Sequence, residues 1–201
     1  MTREIVTLTL EHLWLVSISI SIAIAIGLPL GILLTRRPKA RGWTIALANA
    51  IQTIPSLALF GFLIPVPFIG GIGPHTAVIA LVLYALLPIL KNTVTGILGV
   101  DAAVRESALA MGMTGRQILT QVEMPLASHT ILSGIRIATV TTIGTATIAP
   151  AIGGGGLGVF VFRGISMVDN QTILAGAIPA AIMALCADAL LGWLERRLSP
   201  D

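Results

Sequence analysis

Residues 101–125 read DAAVRESALAMGMTGRQILTQVEMP. This polar, charge-bearing stretch lies between long apolar runs, and the contrast decides the architecture: apolar segments that cross a membrane, joined by one amphipathic segment exposed at its surface. Ala102, Ala103, Ser107, Ala108 and Ala110 favour a helix or pack closely, while Arg105 and Glu106 give that helix a polar face. Gly112 then permits a turn that a side chain would obstruct. Thr114 is an N-cap for a second short helix over 116–122, and Pro125 ends that helix or opens the next span. On pattern alone, the segment also fits an ordinary solvated linker.

The surrounding composition settles the class. Of 201 residues, 55% are hydrophobic and 10% charged, and the mean hydropathy is +0.96. Soluble domains carry about 45–50% apolar and about 25% charged residues, so this is an integral membrane protein, all-α, and one domain over residues 1–201. The formal net charge is only +3. Arg36, Arg37, Lys39 and Arg41 cluster between two apolar runs instead of forming a stripe, which argues for a membrane loop and against nucleic acid. Cys186 is the only cysteine, so neither an internal disulfide nor a cysteine-cluster metal site can form.

The apolar runs predict about five transmembrane helices, at 13–34, 43–64, 76–90, 128–151 and 172–194, each near the roughly 20 residues that span about 30 Å of hydrocarbon. The first contains SISISIAIAI (17–26), whose alternation imitates a strand. Length overrules the pattern, because an unpaired strand in lipid leaves backbone groups unsatisfied and a helix does not. The basic stop TRRPK (35–39) makes this a retained span and not a cleaved leader. The third run is short, and Lys91 can snorkel so that its helix extends further.

Charge asymmetry orients the chain. With Thr2 outside and Pro200 in the cytoplasm, Arg36, Arg37, Lys39, Arg41, Lys91, Arg105, Arg116, Arg196 and Arg197 all face inward, leaving Arg3 and Arg163 outside. Trp14, Trp43 and Trp193 fall at span ends, as an interfacial belt places them. The outer connections, 65–74 and 153–170, are rich in Gly, Pro and apolar residues and either re-enter the membrane or cap a pore mouth.

Several motifs carry little chemistry. Gly153, Gly155 and Gly158 satisfy G-x-G-x-x-G, but no strand precedes them, so a flexible gate loop or a close backbone approach explains them better than a dinucleotide site. His12, His75 and His129 lie near span ends without an i, i+4 partner, which suits interfacial positions and gives no metal site. Gly27 and Gly31 form a G-x-x-x-G contact, either within the chain or between copies. Pro29, Pro55, Pro88, Pro150 and Pro179 interrupt spans and can bend them. Arg136 and Asp188 are charges within the cytoplasmic halves of two spans; they pair there, or Arg136 snorkels to the surface.

The segment at 101–125 resembles the cytoplasmic "EAA" loop of ABC-importer permeases, through Glu106-Ser107-Ala108, Gly112 and Val122-Glu123-Met124-Pro125. The resemblance extends over most of the chain. TIPSLAL (53–59), LLPILKNT (86–93), GRQ (115–117), GIR (134–136), TIGTAT (142–147) and IGGGGLG (152–158) are similar to permeases of osmoprotectant importers, which move glycine betaine, choline and carnitine. Ser107 departs from the usual Ala, a small change. The resemblance implies a type I ABC importer (MetI-like) permease fold with a coupling helix, in the cell (inner) membrane, with no enzymatic activity and no cofactor. It implies ATPase coupling through Glu106, Ser107, Ala108, Gly112, Met113, Thr114 and Pro125, and a pathway or gate near Pro55, Tyr84, Pro150, Gly153 and Gly156. The implied partners are an ABC ATPase, a second permease, identical or homologous, and an extracytoplasmic substrate-binding protein. The chain has no G-x-x-x-x-G-K-[S/T] phosphate loop and few intramembrane charges, so energy must come from another subunit. A permease for another small solute such as an amino acid, a non-transport membrane scaffold and an ion-driven carrier are the competing readings.

Overall fold

The computed structural model describes residues 2–198, and side chains over 3–197; the expected cytoplasmic placement of Pro200 lies outside the described residues. The chain order is α1 (Thr2–Thr35), α2 (Pro38–Thr53), α3 (Ser56–Leu63), α4 (Pro74–Leu98), α5 (Ala102–Ala110), α6 (Gly115–Ile118), a π-helical turn (Leu119–Glu123), α7 (Met124–Ala146), a 3₁₀ turn (Ala149–Ile152), α8 (Gly158–Met167) and α9 (Asn170–Leu198). The alternating SISISIAIAI lies inside α1. Its buried positions, Leu15, Val16, Ser19, Ile20, Ala23, Gly27 and Gly31, recur at helical spacing and form one stripe.

That stripe packs on α4, the axis of the bundle. In the apolar window of α4, 61% of the residues are buried, against 11% for α9, so α4 is the core helix and α9 a peripheral one. Around α4 stand α1, α7 and α2, and α9 packs on α7 and α8. Leu174, Ile178, Ile182 and Leu185 leave an apolar face of α9 uncovered, a face that suits lipid tails and would be a liability in water.

Helix ends differ from the sequence expectation in physically accountable ways. The run at 43–64 is not one straight span: α2 and α3 meet at 102°. Pro55 has no N–H to continue the helix and disfavours helical geometry at the residue before it, so Ile54 is extended, with φ −68° and ψ 127°. The third span runs from Pro74 to Leu98, well beyond residue 90. The fourth ends at Ala146, and the connection that follows holds the unforeseen helix α8.

By length and composition α1, α4 and α9 can each cross a membrane, and the bent α2–α3 pair would be a fourth span. α7 has 23 residues, or about 35 Å at the α-helical rise, but is more polar. Three of its threonines return their hydroxyls to their own helix: Thr139 to the carbonyl of Ile135 and Thr141 to that of Ile137, both at 2.8 Å, and Thr145 to that of Thr141 at 2.9 Å. Those bonds lower the cost of carrying hydroxyls into an apolar setting.

Candidate coupling surface and transport pathway

The segment between α4 and α7 builds a projecting surface from local rules. Asp101 caps α5, its carboxylate accepting from the Ala103 amide at 2.9 Å. The helix stops in a Schellman turn: the Met113 amide donates to Ala108 O at 3.1 Å and the Gly112 amide to Leu109 O at 2.9 Å. This geometry requires the left-handed φ of +83° at Gly112. Thr114 then caps α6, and Gln117 completes a capping box. The second helix does not stop at Pro125; it passes through the π turn directly into α7, whose first turn holds that proline.

Glu106 and Ser107 are exposed, Ala108 is buried against the body and Met113 is half-buried. Leu109 is 60% exposed and Met111 75%, so a surface that the charge pattern assigns to the cytoplasm carries an apolar tip. Its base is held by a residue absent from the candidate coupling set. Glu123, 1% exposed, accepts from Arg36 Nη2 at 2.6 Å and Arg105 Nε at 2.9 Å. The acidic residue was visible in the VEMP motif, but the two arginines lie 87 and 18 residues away in sequence and no spacing rule connects them.

The candidate pathway residues fall into two groups. Tyr84 and Pro55 come together at the α2–α3 break, where the Tyr84 hydroxyl donates to the carbonyl of Ile54, the extended residue before the proline, and Gln52 Nε2 donates to Tyr84 O at 2.9 Å. Beside them a groove of about 280 Å³ is lined by Tyr84, Pro88 and Asn92 of α4 and by Thr141 and Thr145 of α7. The other group, Pro150, Gly153 and Gly156, lies in the connection over the N-terminal turns of α1. Gly153 and Gly156 have φ of +74° and +84°. The Gly156 amide donates to Glu11 Oε2 at 3.1 Å, and a Cβ there would sit 3.1 Å from His12 Nδ1. His12 points into the bundle: it is fully buried, with Nε2 donating to Ile143 O at 3.1 Å.

Arg136 and Asp188 meet across α7 and α9 in a two-pronged contact, Nε to Oδ1 at 2.6 Å and Nη2 to Oδ2 at 2.8 Å. Glu195 adds an oxygen 3.2 Å from Nη1 and also lies 3.3 Å from His129 Nε2. Asp188, Gly192 and Glu195 share one face of α9. Gly192 makes room, since a Cβ there would stand 2.9 Å from Arg136 Nη1. The described residues contain no group of three metal-ligating side chains.

A bundle of apolar helices with a broken span, a glycine-rich connection and a projecting helix pair has the form of an ABC-importer permease, a transport subunit and not an enzyme. Over 100% of this chain and 98% of the other, it superposes on the inward-facing MetNI methionine ABC transporter with a TM-score of 0.88 at 24% identity. An amino acid ABC transporter solved with histidines gives 0.81 at 21% identity, covering 98% and 94%. These likenesses speak to the fold alone.

Residues 27–200 match the family described as binding-protein-dependent transport system inner membrane component, and the chain belongs to that family. It is 52% identical over 174 residues to the carnitine transport permease protein OpuCD of Listeria monocytogenes, covering 86% of this chain and 77% of that protein. The choline transport system permease protein OpuBB of Bacillus subtilis is 42% identical over 197 residues, 98% of this chain and 89% of that one. The osmoprotectant import permease protein OsmW of Salmonella typhimurium is 43% identical over 198 residues, covering 98% and 92%. The chain is thus an inner-membrane component of an ABC importer that works with an ATPase and a substrate-binding protein.

Proposed function

We propose that this chain forms half of the membrane pathway through which quaternary-ammonium osmoprotectants, the class of glycine betaine, choline and carnitine, enter the cell. The observation that carries the solute class is identity of 42–52% to permeases named for carnitine and choline, over 86–98% of the chain. A second permease, identical or homologous, completes the pathway. The apolar face of α9 and the open groove beside Tyr84 suit such an assembly. The basic residues support an outward N-terminus, which sets Arg36, Arg105 and Arg116 beside the motor.

In this reading the ATPase grips the surface formed by Glu106, Ser107 and the apolar tip at Leu109 and Met111. ATP-driven closure displaces α5 and rocks α4 and α7 between inward- and outward-facing states. Ala108, Gly112, Met113 and Thr114 shape that surface, and Pro125 starts the lever helix. Pro55, Pro150, Gly153 and Gly156 lie where the pathway bends or closes, and Tyr84 braces the bend. Solute choice belongs mainly to the binding protein, because the chain is only 4% aromatic, too sparse for an aromatic cage around an ammonium group.

The test is reconstitution with the ATPase and binding protein, with uptake of glycine betaine, choline and carnitine measured. Exchange of the binding protein is expected to change the preferred solute; a preference that stays with the permease would refute that division. Gly112→Asp is expected to leave the chain inserted while abolishing solute-stimulated ATP hydrolysis, since φ of +83° suits glycine and a charge there spoils the docking face. Normal stimulation in Gly112→Asp and in Glu106→Lys would remove the segment from the mechanism.

A further inference from the structure

α5 is poorly held by packing. Of its nine residues only Ala108 is buried, and it hangs between a linker at 99–101 and the left-handed turn at Gly112, where a Cβ would meet nothing within 4 Å. Burial of one alanine cannot keep a helix in register against a moving partner. What fixes α5 is charge. The Glu123 carboxylate splits its oxygens, Oε1 toward Arg105 of α5 and Oε2 toward Arg36 of the α1–α2 connection. Arg105 Nη2 also donates to Ile97 O at the end of α4. One buried carboxylate at the foot of α7 thus ties together α1, α4, α5 and α7.

A buried carboxylate is costly unless it is paired, and apolar packing would hold a static joint as well. What the ionic joint adds is direction, because a carboxylate bridging two guanidinium groups tolerates little rotation. The π turn that ends at Glu123 is a further irregularity of the kind found at functional positions.

We propose that Glu123 is the positioning residue of motor coupling: the Arg36–Glu123–Arg105 clamp makes α5 move as one body with the foot of α7. A push on α5 then becomes a displacement of the pathway helix and is not absorbed by bending at Gly99 and Gly112. This inference rests on the docking role given above to the surface at 106–114.

The experiment uses the full transporter, with its ATPase and binding protein, in proteoliposomes, and reads solute imported per ATP hydrolysed, normalised to assembled complex. Glu123→Gln keeps the shape and removes the charge. It is expected to retain the ATPase and to lower the transport ratio several-fold, with partial recovery in Glu123→Asp. Arg105→Gln alone is expected to uncouple and to add nothing in the Glu123→Gln background. It also serves as the readout if Glu123→Gln fails to assemble, because Glu123 then keeps Arg36.

In a Cys186→Ala background, the pair Arg105→Cys and Glu123→Cys should be uncoupled until bridged by a bis-methanethiosulfonate, which links the two thiols through disulfides, and uncoupled again when reduction cleaves them. A wild-type ratio in Glu123→Gln and Arg105→Gln, or no recovery in intact bridged protein, overturns the proposal. If Gly112→Asp and Glu106→Lys uncouple while Glu123→Gln does not, this inference alone fails. If all are neutral, the docking role itself fails.

Discussion

The contact between α1 and α4 offers the sharpest test of the packing. A Cβ at Gly31 would stand 2.7 Å from both Cβ and Cγ2 of Thr93, and one at Gly27 would stand 2.9 Å from Cγ2 of Ile89. Carbon atoms in contact prefer about 3.5–4.0 Å, so Gly31→Ala must open the interface by about 1 Å or tilt one helix. Ile89 is held to one χ1 rotamer in a helix, the Cβ of Thr93 cannot move by rotation of its side chain, and both residues are almost fully buried on α4, so neither clash is relieved by a side-chain swing. Overpacking of this kind costs about 1–3 kcal/mol, and a gap of about 1 Å forfeits up to half of each dispersion well around it. The helix propensity gained by replacing glycine, about 1 kcal/mol in water, offsets little here, because an isolated membrane helix already forms in lipid.

Gly31→Ala is therefore expected to lose about 2 kcal/mol and Gly27→Ala somewhat less. The double variant should lose less than the sum, since one separation relieves both clashes. Unfolding followed in mild detergent measures the loss, and Thr93→Gly in the Gly31→Ala background should restore part of it. The G-x-x-x-G pair would instead be a contact between permeases if Gly31→Ala left the chain's own stability unchanged while abolishing permease–permease cross-linking. That result would refute the reasoning.

The α7–α9 charge cluster should respond asymmetrically: Arg136→Ala strands Asp188 and leaves Glu195 only His129, whereas Asp188→Ala leaves Arg136 with Glu195 at 3.2 Å. Thermal stability in detergent should fall further for Arg136→Ala, and the two losses should not add; the reverse order or simple additivity would dissolve the cluster. Tyr84→Phe removes the donor to the Ile54 carbonyl at the helix break, with an expected loss of about 1 kcal/mol and a change in uptake; the absence of both effects would deny Tyr84 its bracing role. Asp169 sits just before α9, where hydrogen bonds from the Thr172 hydroxyl first and the Gln171 amide second hold its carboxyl below the ordinary value. The stabilisation is therefore present above the ordinary carboxylate pKa of about 3.9 and disappears as pH falls through the lowered folded value. Amide exchange in the first turn of α9 should accelerate only in that acid range, and Thr172→Val should move the onset upward.

The sequence by itself determined what depends on composition and local order. Hydropathy required helices in a membrane, length overruled the alternation at 17–26, and Thr114, Gly112 and Pro125 marked a helix, a turn and a new start through chain conformation that each residue imposes on its neighbours. Pro55 announced a disturbance in the second span, although local rules gave no means of deriving a 102° bend from it. Tertiary structure decided everything that depends on which helix lies beside which. It turned Gly27 and Gly31 into a seam with α4, buried His12, and showed that Gly192 is the gap that admits Arg136 between Asp188 and Glu195. It also joined Glu123 to Arg36 and Arg105. Long charged side chains find partners wherever the fold brings an opposite charge within reach, and those distances are set by helix packing, which the periodicity of a single chain does not encode.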